Sequence, residues 1–208
     1  MLPSLGVLYD RVINARLSKW VKVHDEQSGF RKGKSTLHQV FTIFLLIKLA
    51  ESMSLTLYIG CFDISKAFDK VPRSLMLKKL IKQGIGHCML NALKSIYSFT
   101  SCILHLKGKM SHAFETRCGI RQGASSSANL FISFINDIIE YIRERCDPEP
   151  LIEYLHCLLH ADDTLIISTH REAFIKKCNL MQEYFDNNQL QLNLGKSGYM
   201  IINGKREL

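Results

Sequence analysis

Asp162 and Asp163 stand side by side between two apolar runs of strand length, Leu155-His156-Cys157-Leu158-Leu159 and Leu165-Ile166-Ile167. Two such runs joined by a few polar residues form a β-hairpin, which puts the acid pair at its tip. A third acid, Asp63, closes another apolar run, Leu55 to Phe62. Carboxylates packed closely repel, and each raises its neighbour's proton affinity unless a cation neutralises them. Clusters of hard oxygen ligands suit Mg²⁺, which takes one or two carboxylates and completes its shell with water and substrate phosphates. The acids therefore point to metal-assisted phosphoryl chemistry. An isolated Asp-Asp pair is more often just a polar hairpin tip, so the rest of the chain must decide.

The periodicity predicts one domain of mixed α+β order. Leu5 to Val23 reads as a helix, with Leu8, Val12 and Ile13 on a shared face. Thr36 followed by Gln39 is a capping-box pattern heading a helix that runs to about Met53. Leu55 to Phe62 reads as a strand ending at Asp63. Helices follow from Ser74 to the stop at Gly84 and from Cys88 to Tyr97. Ser101 to Leu106 and Ala113 to Cys118 flank Lys107-Gly108-Lys109 as a hairpin. One long helix carries Leu130, Phe131, Phe134, Ile135, Ile138, Ile139 and Ile142 and ends before Pro148 and Pro150. The acid-tipped hairpin is followed by a helix over Glu172 to Asn187 and short strands at Leu190 to Leu194 and Tyr199 to Ile202. This order predicts helices packed on one face of a largely antiparallel sheet.

Composition narrows the partners. The 27 lysines and arginines against 19 acids give a net charge of +8, which favours polyanions such as nucleic acid. Seven cysteines without a C-x-x-C pair argue against a disulfide framework or a zinc knuckle and are expected as small core residues in a reducing compartment. The Met1 to Leu8 stretch meets Asp10 and Arg11 before a signal-type apolar region forms, and the longest oily run, Val40 to Ile47, stops at Lys48. A soluble intracellular protein with no membrane partner is expected.

Five segments stand in order along the chain: Gln27-Ser28-Gly29-Phe30-Arg31-Lys32-Gly33-Lys34-Ser35-Thr36, Cys61-Phe62-Asp63-Ile64-Ser65-Lys66-Ala67-Phe68-Asp69-Lys70-Val71, Gly119-Ile120-Arg121-Gln122-Gly123, His160-Ala161-Asp162-Asp163 and Leu192-Asn193-Leu194-Gly195-Lys196-Ser197. Taken together they resemble the reverse transcriptase domain of non-LTR (LINE-type) retrotransposons. The resemblance implies an RNA-directed DNA polymerase with a palm fold, divided as partial fingers over 1–53 and palm over 54–208. It implies Mg²⁺, with Mn²⁺ as a substitute, held by Asp63, Asp162 and the Ile64 carbonyl, with Asp163 in support. The partners it implies are an RNA template, a DNA primer and deoxynucleotides. Phe68 then matches the ring that obstructs a 2′-hydroxyl, Gln122 and Gly123 the lining of the nucleotide site, and Lys196 a lysine near the triphosphate. Arg31, Lys32 and Lys34 are expected on template phosphates, and His160 at the primer end.

Read without the resemblance, Phe68 is a core phenylalanine, Gln122-Gly123 a turn, Lys196 one lysine among many and the basic segment a solvated loop. Gly33-Lys34-Ser35 does not complete a phosphate-binding P-loop, because Gly29 and Gly33 enclose three residues where that motif needs four. The chain departs from the family at His160, where an aromatic residue is usual, and at Ser125 and Ala128, which stand at usual proline sites. Met1-Leu2-Pro3 begins just past the family's arginine-bearing fingers segment, and Leu208 leaves no room for a thumb, so a fragment or a decayed copy is expected. A catalytically inactive nucleic-acid-binding remnant and a two-metal nuclease are the rival readings. Reverse transcription primed on chromosomal DNA would place the protein in the nucleus; oligomeric state is not legible.

Overall fold

The computed structural model describes residues 4–98 and 100–204. The readings on Met1-Leu2-Pro3 and Leu208 lie outside the described residues. The chain forms α1 (Ser4–Trp20), α2 (Thr36–Ser52), β1 (Leu57–Phe62), α3 (Ala67–Lys70), α4 (Arg73–Lys82) and α5 (His87–Ser98). Four two-residue strands follow, β2 (Ser101–Cys102), β3 (His105–Leu106), β4 (Lys109–Met110) and β5 (Phe114–Glu115). Then come α6 (Ser126–Ile135), α7 (Ile138–Arg143), β6 (Cys157–His160), β7 (Asp163–Ser168), α8 (Arg171–Asn187) and β8 (Gly198–Ile202). The described residues within Met1–Lys22 and Phe68–Phe134 form one compact unit, and those within Val23–Ala67 and Ile135–Leu208 a second.

The second unit is built on a four-stranded antiparallel sheet in the order β6-β7-β1-β8. Strand β1 is central and apolar on both faces. Leu57 and Ile59 pack with Leu46 and Ala50 of α2, Leu158 of β6, Ile167 of β7 and Ile152. Each leucine or isoleucine among them contributes about 1.5–3 kcal/mol on full burial. Tyr58, turned the other way by the two-residue period, stacks on Phe174 of α8 with ring centroids 5.7 Å apart. Gly60 shares that face, where a Cβ would lie 3.1 Å from the Phe174 ring. Helices thus cover both faces of the sheet, which corrects the one-face expectation: a strand buried on both sides needs a helix on each.

In the first unit α5 packs against α1 and α4, and Phe68 stacks on Phe131 of α6 at 4.6 Å and 21°. The expected hairpin after α5 is present but interrupted. Ser101 pairs with Glu115 and Cys102 with Phe114, then His105 with Met110 and Leu106 with Lys109. Lys107 and Gly108 both take positive φ, 48° and 77°, as a two-residue hairpin turn of the I′ kind requires.

Four expectations need correcting. The long helix divides at Asn136-Asp137, where the Ile135 carbonyl accepts a hydrogen bond from the Tyr184 hydroxyl at 3.3 Å and the Asn136 side chain accepts the His24 N–H at 3.0 Å. The helix cap falls one residue early, at Ser35, whose N–H donates to His38 Nδ1 at 3.1 Å. Gln39 turns inward instead and donates to the carbonyls of Glu26 and Leu159 at 3.0 and 3.2 Å. The strand expected at Leu190 to Leu194 reduces to one bridge, Leu192 to Ile64. The cysteines are free thiols, but Cys61, Cys88, Cys102 and Cys118 are exposed and only Cys157 is buried. A small thiol is tolerated at exposed positions as well as in a core. Among the described residues no helix is long and apolar enough to cross a membrane.

Candidate active site

Three acids meet at one end of the sheet. Phe62 of β1 pairs with Thr164 of β7, so the next residue along each strand sets Asp63 beside Asp163. His160 pairs with Asp163 across the β6–β7 hairpin, and Ala161 and Asp162 form the two-residue turn. Ala161 has φ 59°, the positive value that a II′-type hairpin requires at its first central position. Asp163 is exposed, whereas Asp63 and Asp162 are half-buried. Burial raises the proton affinity of Asp162, and the charges of Asp163 and then Asp63 raise it further, with His160 acting in the opposite sense. That coupling is what a divalent cation would relieve, so the donor set fits one. Among the described residues no group of three or more acidic, histidine or cysteine side chains is arranged so that it could hold a metal ion by itself. The acids form an open edge, which matches the way Mg²⁺ keeps water and substrate phosphates in its shell.

The segment carrying Lys196 is fastened to Asp63 through the backbone. Asn193 N–H donates to the Asp63 carbonyl at 2.9 Å, Ser65 N–H to the Gln191 carbonyl at 2.8 Å, and Asp63 N–H to Ser197 Oγ at 3.2 Å. These flanking bonds carry the Ile64–Leu192 bridge, which leaves the Ile64 carbonyl out of it. Lys196 N–H and Ser197 Oγ both donate back to the Asn193 carbonyl, at 3.0 and 2.9 Å, so the lysine sits on a closed turn.

The segment before α2 lies along β6. Ser28 N–H donates to the Leu159 carbonyl and Leu159 N–H to the Glu26 carbonyl, both at 2.9 Å, and Ser28 Oγ lies 2.9 Å from His160 Nδ1. Arg31 is largely engaged within its own loop, donating to the carbonyls of His24 and Gln27 at 2.9 and 3.0 Å and pairing with Asp25 at 3.5 Å. Lys34 reaches the same Asp25 at 3.9 Å, and Lys32 is exposed. The sequence reading missed Gln27 as a functional residue: it is fully buried and its side-chain amide bonds to Ala161, next to the acids. Its place in the Gln27-Ser28-Gly29 motif was the available signal.

Phe68, Gln122 and Gly123 gather in the first unit. Ile120 N–H donates to the Phe68 carbonyl at 2.8 Å and Gly119 N–H to the Val71 carbonyl at 2.9 Å. Gly119, at φ 85°, allows this docking, since a Cβ there would lie 2.7 Å from the Asp69 carbonyl oxygen. Gln122 Nε2 donates to Asp69 Oδ1 at 2.7 Å, and Gly123 takes φ 79°. A cleft of about 770 Å³ beside them is lined by Asp69, Arg73, Gly119, Arg121 and Gln122 among others. Arg73 is not available to a ligand there, because it donates to the carbonyls of Gly119, Tyr97 and Thr116 and to Thr100.

A family model described as reverse transcriptase (RNA-dependent DNA polymerase) matches residues 2–206. The transposon TX1 uncharacterized 149 kDa protein of Xenopus laevis is 23% identical over 182 residues, which is 86% of this chain and 14% of that protein. The retrovirus-related Pol polyprotein from type-1 retrotransposable element R2 of Popillia japonica is 24% identical over 197 residues, 93% of this chain and 28% of that protein. The chain thus spans a minor part of the length of either relative. Among solved structures, apo telomerase from Candida Tropicalis shares the fold at a TM-score of 0.67 and 13% identity, covering 95% of this chain and 36% of that one. Telomerase from Candida albicans, in complex with a TWJ fragment of telomeric RNA, does so at 0.64 and 13%, covering 93% and 34%. The antiparallel sheet with its acid edge is a reverse transcriptase palm, and the chain belongs to the reverse transcriptase (RNA-dependent DNA polymerase) family, as a domain of the non-LTR retrotransposon kind.

Proposed function

We propose that this domain extends a DNA primer on an RNA template, joining the primer 3′-oxygen to the α-phosphorus of a deoxynucleotide and releasing pyrophosphate. The observation that carries this reading is the convergence of Asp63, Asp162 and Asp163 at one end of adjacent strands, with their charges coupled. Asp63, Asp162 and the Ile64 carbonyl would hold the divalent cations, Mg²⁺ or Mn²⁺, with Asp163 adding charge. A bound cation there would activate the attacking oxygen and stabilise the leaving one. Lys196, set on its turn beside the Asp63 backbone, neutralises the departing pyrophosphate or gives it a proton. Phe68 bars a 2′-hydroxyl, Gln122 and Gly123 line the nucleotide, and His160 meets the primer end. Lys32, Lys34 and what remains open of Arg31 face template phosphates. Residues 1–53 act as partial fingers and 54–208 as palm. Priming on chromosomal DNA would place this activity in the nucleus.

The test is primer extension on an RNA template with Mg²⁺ and deoxynucleotides. Asp162→Ala is expected to reduce incorporation about 100-fold or more. Equal incorporation by both proteins would remove the site assignment. Salt-sensitive RNA binding without incorporation would favour a non-catalytic binding role, and shortening of labelled strands without nucleotides would favour a nuclease.

A further inference from the structure

The Gln27 side chain is fully buried, and each end of its amide has work to do. Oε1 accepts the N–H of Gly29 at 2.8 Å and that of Ala161 at 3.0 Å, while Nε2 donates to the Ala161 carbonyl at 3.4 Å. One side chain therefore brackets both backbone polar groups of the residue immediately before Asp162. Ala161 is itself buried and holds a positive φ of 59°, which an L-residue adopts only where its surroundings compensate. Its N–H would be left without an acceptor inside the protein if Gln27 were apolar. Gly29 makes room for the arrangement: a Cβ there would fall 2.2 Å from the Ala161 nitrogen. The backbone is tied at the same level by the Gln27–Leu159 parallel bridge, whose two hydrogen bonds join Leu159 to Ser28 and to Glu26.

We infer that Gln27 is a positioning residue for the acid-bearing turn: its amide fixes Ala161 in the left-handed conformation that carries Asp162 and Asp163 to the sheet edge. Gln27 touches no reacting atom and acts through Ala161. The chemistry selects glutamine. Asparagine is one methylene short, glutamate keeps the acceptor but loses the donor and adds a charge near three acids, and methionine keeps the volume without any hydrogen bond. The inference rests on the reading of those acids as the metal-binding set.

Gln27→Met and Gln27→Glu, in the full 208-residue chain, test it by three measurements: hydrogen exchange at the Ala161 amide, Mn²⁺ affinity by electron paramagnetic resonance, and primer extension. Gln27→Met should speed exchange at Ala161 while the β1–β7 amides keep their protection. It should weaken Mn²⁺ binding, and lower kcat, by about 10–100-fold, with the deoxynucleotide KM within about twofold of the wild type. Gln27→Glu should keep the Ala161 amide protected. Unchanged Ala161 exchange and Mn²⁺ affinity in Gln27→Met would overturn the inference, as would an equal loss of protection across the whole sheet, which marks a merely structural role. A wild-type chain that binds Mn²⁺ but incorporates no nucleotide would fail the polymerase reading alone, since exchange and Mn²⁺ affinity still decide the role of Gln27.

Discussion

Asn193 and Asp63 are joined backbone to backbone, the Asn193 N–H donating to the Asp63 carbonyl at 2.9 Å. A residue of the last motif thereby sets the position of the first acid, and Ser197 Oγ completes the clasp by accepting the Asp63 N–H at 3.2 Å. Ser197→Ala removes that acceptor and the hydroxyl bond to the Asn193 carbonyl. The expected loss is about 1 kcal/mol in urea unfolding, with a larger fractional loss of incorporation, because the clasp sits at the site. Ser197→Thr, which keeps the hydroxyl, should restore both.

Two glycines in the segment before α2 serve different ends. At Gly29 an added Cβ meets Ala161 backbone at 2.2 Å, whereas at Gly33, with φ 79°, no atom of the described residues lies within 4 Å. Gly29→Ala must displace backbone and should cost about 1–3 kcal/mol or more. Gly33→Ala should cost only the left-handed backbone strain, roughly 1–2 kcal/mol. Urea unfolding of both variants, with Mn²⁺ affinity alongside, separates them: only Gly29→Ala should weaken the metal.

Much of this was legible because the acids terminate strands whose apolar patterning is strong. Asp63 closes β1, and the Asp162-Asp163 pair sits at the β6–β7 turn, as alternation and run length required. Helix boundaries read from caps and stops fell within a few residues. What escaped depends on distant partners. The break at Asn136-Asp137 is made by Tyr184 and His24, neither visible in a helical period. The inward turn of Gln39 is set by β6 and the amide clamp of Gln27 by the turn that follows it, both more than a hundred residues away in the chain. Arg31 reads as a phosphate ligand in sequence because composition cannot show that nearby carbonyls already engage it.

That engagement has a measurable consequence for nucleic-acid binding. A lysine that contacts phosphate releases counterions, so Lys32→Ala should reduce the slope of log affinity against log salt by about 1. Arg31→Ala should leave the slope closer to wild type and instead loosen the 24–31 loop, lowering thermal stability. RNA binding measured across a salt series, beside melting curves, checks both; equal slope changes for the two variants would show that Arg31 meets phosphate as fully as Lys32.

A buried histidine gives the fold an acid sensitivity unrelated to the active site. His156 is 2% exposed, and among the described residues neither ring nitrogen has a hydrogen-bond partner. Burial, aided by the Lys177 ammonium, lowers its pKa from 6.5 to about 4. Between those values the unfolded chain binds more protons than the folded one, so stability falls as pH drops from 6.5 toward 4, by on the order of 2–3 kcal/mol. His156→Leu should flatten that window. A further loss below it should remain, because hydrogen bonds from Lys177, Ser168 and Thr169 overcome burial and hold the Glu149 carboxyl below its ordinary range. Its contribution disappears as pH falls through that lowered value. Urea unfolding at a series of pH values reads both steps.

The central claim is that acids from separate strands share a cation, and paramagnetic broadening reads it without requiring turnover. Mn²⁺ is titrated into ¹⁵N-labelled protein, and the amides that lose intensity are mapped. The account predicts that Phe62 to Ile64 and Ala161 to Thr164 broaden together at the same Mn²⁺ concentration, and that Asp63→Asn weakens the effect on both segments. Broadening confined to one of the two segments, or untouched by Asp63→Asn, would contradict it.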